Sequence, residues 1–296
     1  MQEKPLVSII TPSYNQGKFL EETINSVLSQ DYPNIEYWVI DGGSQDNSVE
    51  IIKKYAHQLA GWLSEPDEGQ ADAINKGFSK ATGEVIAWLN SDDLYRPGAI
   101  ANAVGALQDH PEVGLVYSDV YSIDERGELF NRMHYNSWQL PDLMAFNILG
   151  QPSVFFRRLA LEGTGLLDLS YHYLLDHHLW LQMALATQLL YVPGQAWSSA
   201  RMHPGAKNVA QAEGFGKEAY RLVEWMQKDP RFTEYFEENK ANILAGAHRI
   251  NAFYLLNANQ SGAALKAYKK VWKQNPSLVI KDWRRVAFAL LSPFNP

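Results

Sequence analysis

The segment VIAWLNSDDLYRPG, residues 85–98, changes within a few positions from apolar to acidic. Residues 85–89 predict a buried β-strand, and two adjacent carboxylates, Asp92 and Asp93, follow almost at once. Acidic residues at such a point either satisfy the free backbone amides of a turn or bind a hard divalent cation. The surrounding sequence has to distinguish the turn from the metal site.

Strands and helices alternate through the first hundred residues. Apolar runs at 6–10, 35–41 and 62–66 predict further strands, and helical periodicity separates them at 17–30, 48–59 and 70–81. This alternation predicts an α/β fold with a mostly parallel sheet and helices on both faces. The strand-end loops 11–15, 41–44 and 90–93 then fall on one edge of the sheet, where such folds bind ligands.

Composition and missing motifs exclude several classes of function. The formal net charge of −7 argues against nucleic acid as the main partner. Because the chain has no cysteine, a metal would be held by oxygen or imidazole ligands. The first strand is followed by TPSYNQG, which has one glycine and matches neither G-x-G-x-x-G nor G-x-x-x-x-G-K-[ST]. Dinucleotide and P-loop binding are therefore disfavoured.

Location is predicted from two further features. Neither a signal peptide nor the roughly 20 apolar residues of a membrane span is apparent, which predicts a cytoplasmic protein. The C-terminal segment WRRVAFALLSPFNP, residues 283–296, mixes two arginines with an apolar stripe. It predicts either a packed terminal helix or a helix in peripheral contact with the inner face of a membrane.

Four motifs in order resemble the family 2 glycosyltransferases. They are TPSYNQ (11–16), WVIDGGSQDNS (38–48), EPDEGQADAINKG (65–77) and WLNSDDLYRPG (88–98). The resemblance covers roughly residues 5–205 and is strongest before residue 100. It implies a GT-A fold, which is a single Rossmann-like domain, over residues 1–212. Residues 1–112 would be its nucleotide-binding half, residues 113–212 its acceptor-binding half, and residues 213–296 a C-terminal helical subdomain.

The resemblance assigns a nucleotide pocket to the first three motifs and part of the fourth. Tyr14 would lie against the base, and Asp41 would accept a hydrogen bond from it. Asp72 and Lys76 share a helix face, which is typical of a plain ion pair, and the resemblance makes this face a border of the pocket. The remaining nucleotide-binding positions are Thr11, Pro12, Asn90 and Ser91.

The segment at 90–92 matches the family's D-x-D motif with one departure, since Asn90 replaces the first Asp. Asp92 would be the direct ligand of Mn²⁺ or Mg²⁺, and His203 in ARMHPGAKN would contact the metal or the diphosphate. Asp93 would assist or would cap the turn. Asp46, by contrast, is placed to cap the helix that follows residue 47.

The catalytic base implied by the resemblance is Asp176, in LLDHHLWLQMA (174–184). It would accept the proton of the acceptor hydroxyl. Gln182 stands where the family often has Arg, which leaves phosphate or acceptor contacts open. Gln151 and Trp180 are predicted on the acceptor side, and core packing is the alternative for Trp180.

The implied activity is an inverting, metal-dependent sugar transfer in cell-envelope polysaccharide biosynthesis. The donor would be a nucleotide diphosphate sugar, with UDP preferred, and the acceptor a hydroxyl of a saccharide or lipid-linked saccharide. A sugar-phosphate nucleotidyltransferase is one alternative, although it would need a Gly-rich basic first loop. A non-catalytic saccharide-binding scaffold is the other.

Overall fold

The computed structural model describes residues 4–207 and 211–291, and their contacts divide them into two compact units. The first unit comprises the described residues of 1–137 and 149–202. The second comprises 138–148 and the described residues of 203–296. Residues 113–212, the predicted acceptor-binding half, therefore contribute to both units.

The first unit is built on one mixed sheet. Its strands within the described residues are β1 (Val7–Ser13), β2 (Ile35–Asp41), β3 (Gly61–Ser64), β4 (Val85–Trp88), β5 (Leu94–Tyr95), β6 (Val113–Ile123), β7 (Leu129–Met133), β8 (Phe155–Arg157) and β9 (Gln188–Arg201). Their order across the sheet is β3-β2-β1-β4-β8-β6-β9-β5, and β7 lies off this order and pairs with residues 120–123 of β6.

Strands β1 to β4 form the parallel part that the alternation predicts. Ser13 in β1 is opposite Asp41 in β2, and Asp41 is opposite Ser64 in β3. On the other side of β1, Ile10 is opposite Trp88 in β4. Every residue of β1 and β4 is buried, which explains why these strands read as continuous apolar runs. Three strand-end loops therefore leave the sheet side by side.

Helices cover both faces of this sheet. In the first unit they are α1 (Leu20–Leu28), α2 (Ser48–Tyr55), α3 (Gln70–Lys80), α4 (Ala99–Asp109), α6 (Arg158–Thr164) and α7 (Leu175–Ala186). The apolar residues of α1 and α4 pack with the sheet in one core cluster that includes Ile24, Val39, Ile100 and Phe155. Asp46 accepts hydrogen bonds from the Ser48 and Gly17 amides, which is the capping role predicted for it.

Strand β9 is longer than its sequence indicates. The segment LLYVPG, residues 189–194, follows a helical pattern in the sequence, and its Pro193-Gly194 pair is typical of a turn. In the structure Gly194 has φ +78°, and the pairing with β6 resumes beyond it, from Val192 opposite Ser118 to Ala196 opposite Asp119. The glycine allows a bulge rather than a stop, so the strand continues to Arg201.

The second unit is helical, as predicted for the end of the chain. Its helices are α5 (Leu140–Met144), α8 (Ala212–Lys228), α9 (Thr233–Asn257), α10 (Ser261–Gln274), α11 (Pro276–Lys281) and α12 (Trp283–Leu291). Helices α9, α10 and α12 share a small core of alanines with Tyr268 and Val271. Among the described residues, no helix is both long and apolar enough to cross a membrane.

Candidate functional site

Asp41 ends β2 and holds the loop that follows it. Its Oδ2 accepts hydrogen bonds from the backbone amides of Gly43 (3.1 Å) and Ser44 (2.9 Å) and from the Ser64 hydroxyl (2.8 Å). Its Oδ1 accepts one from the Ser44 hydroxyl at 2.5 Å. The side chain is buried, and Gly43 has φ +80°, a conformation that favours glycine. Asp41 therefore orders the 42–44 loop whether or not it also contacts a base.

Asp67 lies against this loop, a position that the sequence analysis did not single out. A Cβ added to Gly42 would lie 2.5 Å from Asp67 Oδ2, so the glycine permits a close approach of the two segments. Burial raises the pKa of Asp67, and the negative charges of Asp72 and Asp41 act in the same direction. The sequence signal that could have identified Asp67 is its position inside the EPDEGQADAINKG motif.

The first loop divides into a buried and an exposed part. Thr11 and Pro12 are buried, and the Thr11 hydroxyl lies 2.9 Å from the Tyr37 hydroxyl. Tyr14, by contrast, is 60% exposed and follows directly after the end of β1. Of these three predicted positions, only Tyr14 is exposed at the strand ends, where its ring is accessible.

The ion pair between Asp72 and Lys76 forms on α3. Lys76 Nζ lies 3.3 Å from Asp72 Oδ2 and 3.1 Å from Glu65 Oε1, which comes just after β3. Burial acts to lower the pKa of Lys76, but hydrogen bonds to Glu65 and Asp72 raise it overall. The pair thus links the first turns of α3 to the end of β3, on the same edge as Asp41.

Asn90 is the centre of an amide network at the end of β4. Its Oδ1 accepts a hydrogen bond from Gln70 Nε2 at 2.7 Å, and its Nδ2 donates to Gln151 Oε1 at 3.2 Å and Asp93 Oδ2 at 3.3 Å. Gln151 in turn donates to the carbonyl of Trp88 at 2.9 Å. One acceptor and one donor position of the Gln151 amide thus hold Asn90 and β4, and its place on the acceptor side stays a prediction.

Asp93 and Arg201 fix the acidic loop to β9. Asp93 is buried, and its Oδ1 accepts a hydrogen bond from the Arg201 amide at 2.9 Å. The guanidinium of Arg201 donates to the Asp92 carbonyl at 3.0 Å and to Glu22 Oε2 at 2.6 Å. Burial raises the pKa of Asp93 well above its ordinary value, and the Asp92 carboxylate adds to this shift. Asp93 is thus the structural member of the pair, and Ser91 beside it is also buried.

Asp92 is the carboxylate of this turn that could hold a divalent cation together with phosphate oxygens. It is only partly buried, unlike Asp93, and the repulsion between the two carboxylates would be offset by a cation at Asp92. Within residues 4–207 and 211–291, no group of three or more His, Cys, Asp or Glu side chains forms a ready-made metal site. One carboxylate with phosphate and water oxygens is a donor set that Mg²⁺ accepts.

Helix α7 carries Asp176 and packs against β4 through Trp180. Asp176 lies in the first turn of α7, where its Oδ1 accepts a hydrogen bond from the His177 amide at 2.7 Å. One turn later, the ring of Trp180 stacks on Trp88 of β4, with centroids 5.1 Å apart and planes at 20°. This contact anchors the start of α7 beside the strand that leads into Asn90 and Asp92.

Trp180 is a core residue, which corrects its predicted place on the acceptor side. It is 0% exposed and also contacts Phe156, at a centroid distance of 5.6 Å. Apolar rings on β4 and β8 cover it, so it has no face to offer a saccharide. His203 begins the second segment of the second unit and is half-buried, and its predicted role at the metal stays a prediction.

Solved structures identify the fold class. A mannosyltransferase from Pyrobaculum calidifontis, PcManGT, solved with GDP-Man and Mn²⁺, superposes with a TM-score of 0.66 at 20% identity, covering 98% of this chain and 86% of its own. Residues 1–349 of S. aureus TarS, solved with UDP-GlcNAc, superpose with a TM-score of 0.64 at 16% identity, covering 95% and 92%. The chain has the GT-A fold.

The sequence comparison gives the family. The model of Glycosyl transferase family 2 matches residues 8–168, more than half of the chain, and the protein belongs to this family. An uncharacterized glycosyltransferase of Rickettsia typhi is 31% identical over 214 residues, which are 67% of this chain and 64% of the relative. One from Mycobacterium tuberculosis is 42% identical over 109 residues, 36% of this chain and 42% of its own length. The chain therefore spans less than two thirds of these relatives.

Proposed function

We propose that this protein transfers a sugar from a nucleotide diphosphate donor, with UDP preferred, to a hydroxyl of a saccharide or lipid-linked saccharide. The observation that carries the proposal is the adjacency of two acidic loops. Asp41 ends β2, and the Asn90–Asp93 turn follows β4, on either side of β1. In this proposal residues 1–112 bind the nucleotide, residues 113–212 the acceptor, and residues 213–296 form the helical subdomain.

The nucleotide would lie across the ends of β1 to β3. Tyr14 offers an exposed ring for the base. Asp41 Oδ1 accepts one hydrogen bond in the structure, whereas Oδ2 accepts three, so Oδ1 keeps an acceptor position for a base N–H. Lys76 stands near this edge as a cation that a phosphate or ribose would contact.

Asp92 would hold Mn²⁺ or Mg²⁺ together with the diphosphate oxygens, and His203 is proposed as a further contact. The ion would neutralise the charge that develops on the leaving nucleoside diphosphate. The chain's own part is to keep Asp92 in place, and Arg201 does this by binding the Asp92 carbonyl. The Asn90 network fixes the same turn from the other side.

Asp176 would accept the proton of the acceptor hydroxyl while its oxygen attacks the anomeric carbon. The C–O bond to the acceptor forms as the bond to the diphosphate breaks, so a single displacement inverts the anomeric configuration. A carboxylate with a reference pKa of about 3.9 is a weak base. It suffices when the proton leaves late, after positive charge has developed on the sugar.

Donor turnover tests this proposal. Purified protein is incubated with UDP-, GDP- and dTDP-sugars, with Mn²⁺ or with EDTA, and release of the nucleoside diphosphate is measured with water as the acceptor of the sugar and Asp176 as the base that takes the proton of that water. We expect release from one donor that requires the metal and falls at least 100-fold in Asp176→Asn. Asp31→Asn, which changes an exposed carboxylate elsewhere in the first unit, is the matched control.

Three other outcomes would each contradict a different part of the proposal. Release of pyrophosphate from a nucleoside triphosphate and a sugar phosphate would indicate a nucleotidyltransferase. Saccharide binding without turnover of any donor would indicate a scaffold. Turnover that Asp176→Asn leaves unchanged would remove Asp176 from the role of base.

A further inference from the structure

Exposed apolar side chains are concentrated near the end of the described chain. Between residues 272 and 291, six large hydrophobic side chains are 53–85% exposed, namely Trp272, Ile280, Trp283, Phe288, Leu290 and Leu291. Elsewhere in the described residues such side chains are scattered over several elements. Single exposed apolar residues are ordinary, but a cluster of this kind marks a surface that binds something.

Helix α12 turns its apolar side outward. Ala289 is buried in the alanine-rich core of the second unit, and Val286 packs against the same core. Trp283 and Leu291 are eight residues apart, and Arg284 and Phe288 are four apart, so these side chains share the opposite side of the helix. We call Trp283, Arg284, Phe288 and Leu291 the α12 outer face.

This part of the chain also carries charge opposite to that of the whole protein. Residues 261–291 contain seven Lys and Arg but one Asp, a net charge of +6. The whole chain has a net charge of −7, so the remaining residues carry −13. The one acidic residue, Asp282, is buried and paired with Arg249 and Arg285, which leaves no exposed negative charge on the segment.

Helix α10 adds a basic stripe. Lys266, Lys269, Lys270 and Lys273 have the spacing of one helix side, and all four are exposed. Helices α10 and α12 pack together, with Tyr268 and Ala289 in their shared core. The four lysines thus add positive charge to the packed unit that carries the outer face, which attracts that unit to an anionic surface.

A cavity beside the outer face is lined by Arg284 and Phe288 of that face and by one further arginine, Arg285. It has a volume of about 420 Å³ and is lined by Phe253, Leu256, Asn257, Asn259, Arg284, Arg285 and Phe288. Two guanidinium groups and two amides there are donors for phosphate oxygens, and the aromatic rings provide apolar walls. A cavity of this chemistry suits a phospholipid headgroup.

We propose that the α12 outer face binds a membrane surface rich in anionic phospholipid. Trp283, Phe288 and Leu291 enter the headgroup region, and Arg284 among them faces the lipid phosphates. Trp and Arg suit this boundary because each joins an apolar body to a polar tip. A nucleic acid would satisfy the cations but would leave the aliphatic side chains exposed. This inference does not depend on the proposed sugar transfer.

Vesicle flotation tests the inference with the full chain and no nucleotide. Vesicles of phosphatidylcholine alone are compared with vesicles containing 30% phosphatidylglycerol, a composition chosen to supply anionic headgroups. We expect binding to the anionic vesicles that is at least tenfold tighter than to the neutral ones. We also expect at least a tenfold loss of binding in Trp283→Ser with Phe288→Ser, and in Arg284→Glu.

Matched controls separate the face from general surface effects. Leu159→Ser changes a side chain that is 75% exposed on α6, and Lys53→Glu reverses an exposed charge on α2. Both controls are expected to bind anionic vesicles like the wild type. Circular dichroism checks that every variant is folded, which is expected because each altered side chain is exposed.

Several results would overturn the inference. These are no preference for anionic vesicles, equal binding by the face variants and the wild type, or a concentration-dependent dimer that the face variants abolish. The last would make the face an interface between copies. Asp92→Ala is expected to bind vesicles like the wild type, so loss of donor binding and loss of membrane binding are separate outcomes.

Discussion

Asn90 shows how a single departure from a motif is accommodated. An Asp at this position could not donate to Gln151 Oε1 or Asp93 Oδ2, both of which Asn90 binds. It would also bring a second negative charge toward a buried carboxylate. The amide therefore suits a turn in which the buried Asp93 accepts hydrogen bonds within the protein. In the proposed function, Asp92 is then the carboxylate of this turn that binds the cation.

We predict that Asn90→Asp destabilises the first unit by about 2 kcal/mol at pH 7, because two acceptors lose their donor. Urea unfolding monitored by Trp fluorescence measures the loss. Asn131→Asp, an exposed change on β7, should cost less than about 0.5 kcal/mol. Equal stability of Asn90→Asp and the wild type would show that the network contributes nothing.

Arg201 is the second residue on which the acidic turn depends. Its buried guanidinium donates to the carbonyls of Asp92, Asp124 and Glu125 and to the Glu22 carboxylate. A lysine keeps the charge but cannot reach this spread of acceptors. We predict that Arg201→Lys costs about 3 kcal/mol in urea unfolding, whereas the exposed change Arg126→Lys costs almost nothing. A small effect at Arg201 would contradict its role as the anchor of the turn.

At the scale of elements, glycines decide how closely the second unit packs. A Cβ built on Gly246 of α9 would overlap the backbone carbonyl of Ala145, at the end of α5. A Cβ on Gly262 of α10 would meet nothing within 4 Å. The same substitution should therefore have opposite effects at the two positions.

We predict that Gly246→Ala destabilises the second unit by about 2 kcal/mol, because α5 has to move. Gly262→Ala should stabilise it by roughly 0.5–1 kcal/mol, the helix propensity difference between the two residues. Thermal unfolding followed by circular dichroism compares the two variants. Destabilisation by both, or by neither, would contradict the packing of α5 against α9.

Asp282 joins three helices of the second unit and gives its stability a pH dependence. It binds Arg249 of α9 at 2.7 and 2.8 Å, Tyr268 of α10 at 3.3 Å, and Arg285 of α12 at 3.0 Å. Burial acts to raise its pKa, but these partners outweigh burial and lower the pKa below its ordinary value of 3.8. The folded state therefore favours the ionised carboxylate.

For a depressed pKa, the stabilisation is present above the unfolded value and is lost as the pH falls through the folded value. We predict that Asp282→Asn costs about 3 kcal/mol at pH 7, and that its difference from the wild type shrinks below about pH 4. Urea unfolding at pH 7, 5, 4 and 3 measures this. A difference that is constant over this range would contradict the ion-pair explanation.

For the whole molecule, the alternation of apolar runs was enough to predict the parallel half of the sheet. Strands β1 and β4 are buried on both faces and β2 is buried at its end, so local sequence and tertiary environment agree there. The long β9 was not predictable, because a Pro-Gly pair reads as a stop until Gly194 is seen to form a bulge. Residues 138–148 belong to the helical unit because of their tertiary contacts, which no local sequence pattern predicts.

The candidate site was predictable to the same uneven degree. The loops of Asp41 and Asp92 do leave the sheet on the same edge, from the two strands that flank β1. Trp180 was ambiguous because an aromatic residue on a helix suits both a core and a saccharide, and only its burial decides. Arg201 is distant in sequence from Asp92, so their hydrogen bond required the fold.

The central claim is that Asp92 binds a metal ion that also contacts the diphosphate of the nucleotide. A thermal-shift panel tests this claim most directly. UDP, GDP, dTDP and CDP are each added with and without Mn²⁺ to the wild type, to Asp92→Ala and to the exposed control Asp31→Ala. We predict that UDP with Mn²⁺ raises the melting temperature by about 5 °C at a hundredfold excess over its Kd. The shift should require the metal, persist in Asp31→Ala and vanish in Asp92→Ala. A folded wild-type protein that no nucleotide stabilises, or an Asp92→Ala variant that responds like the wild type, would contradict the account.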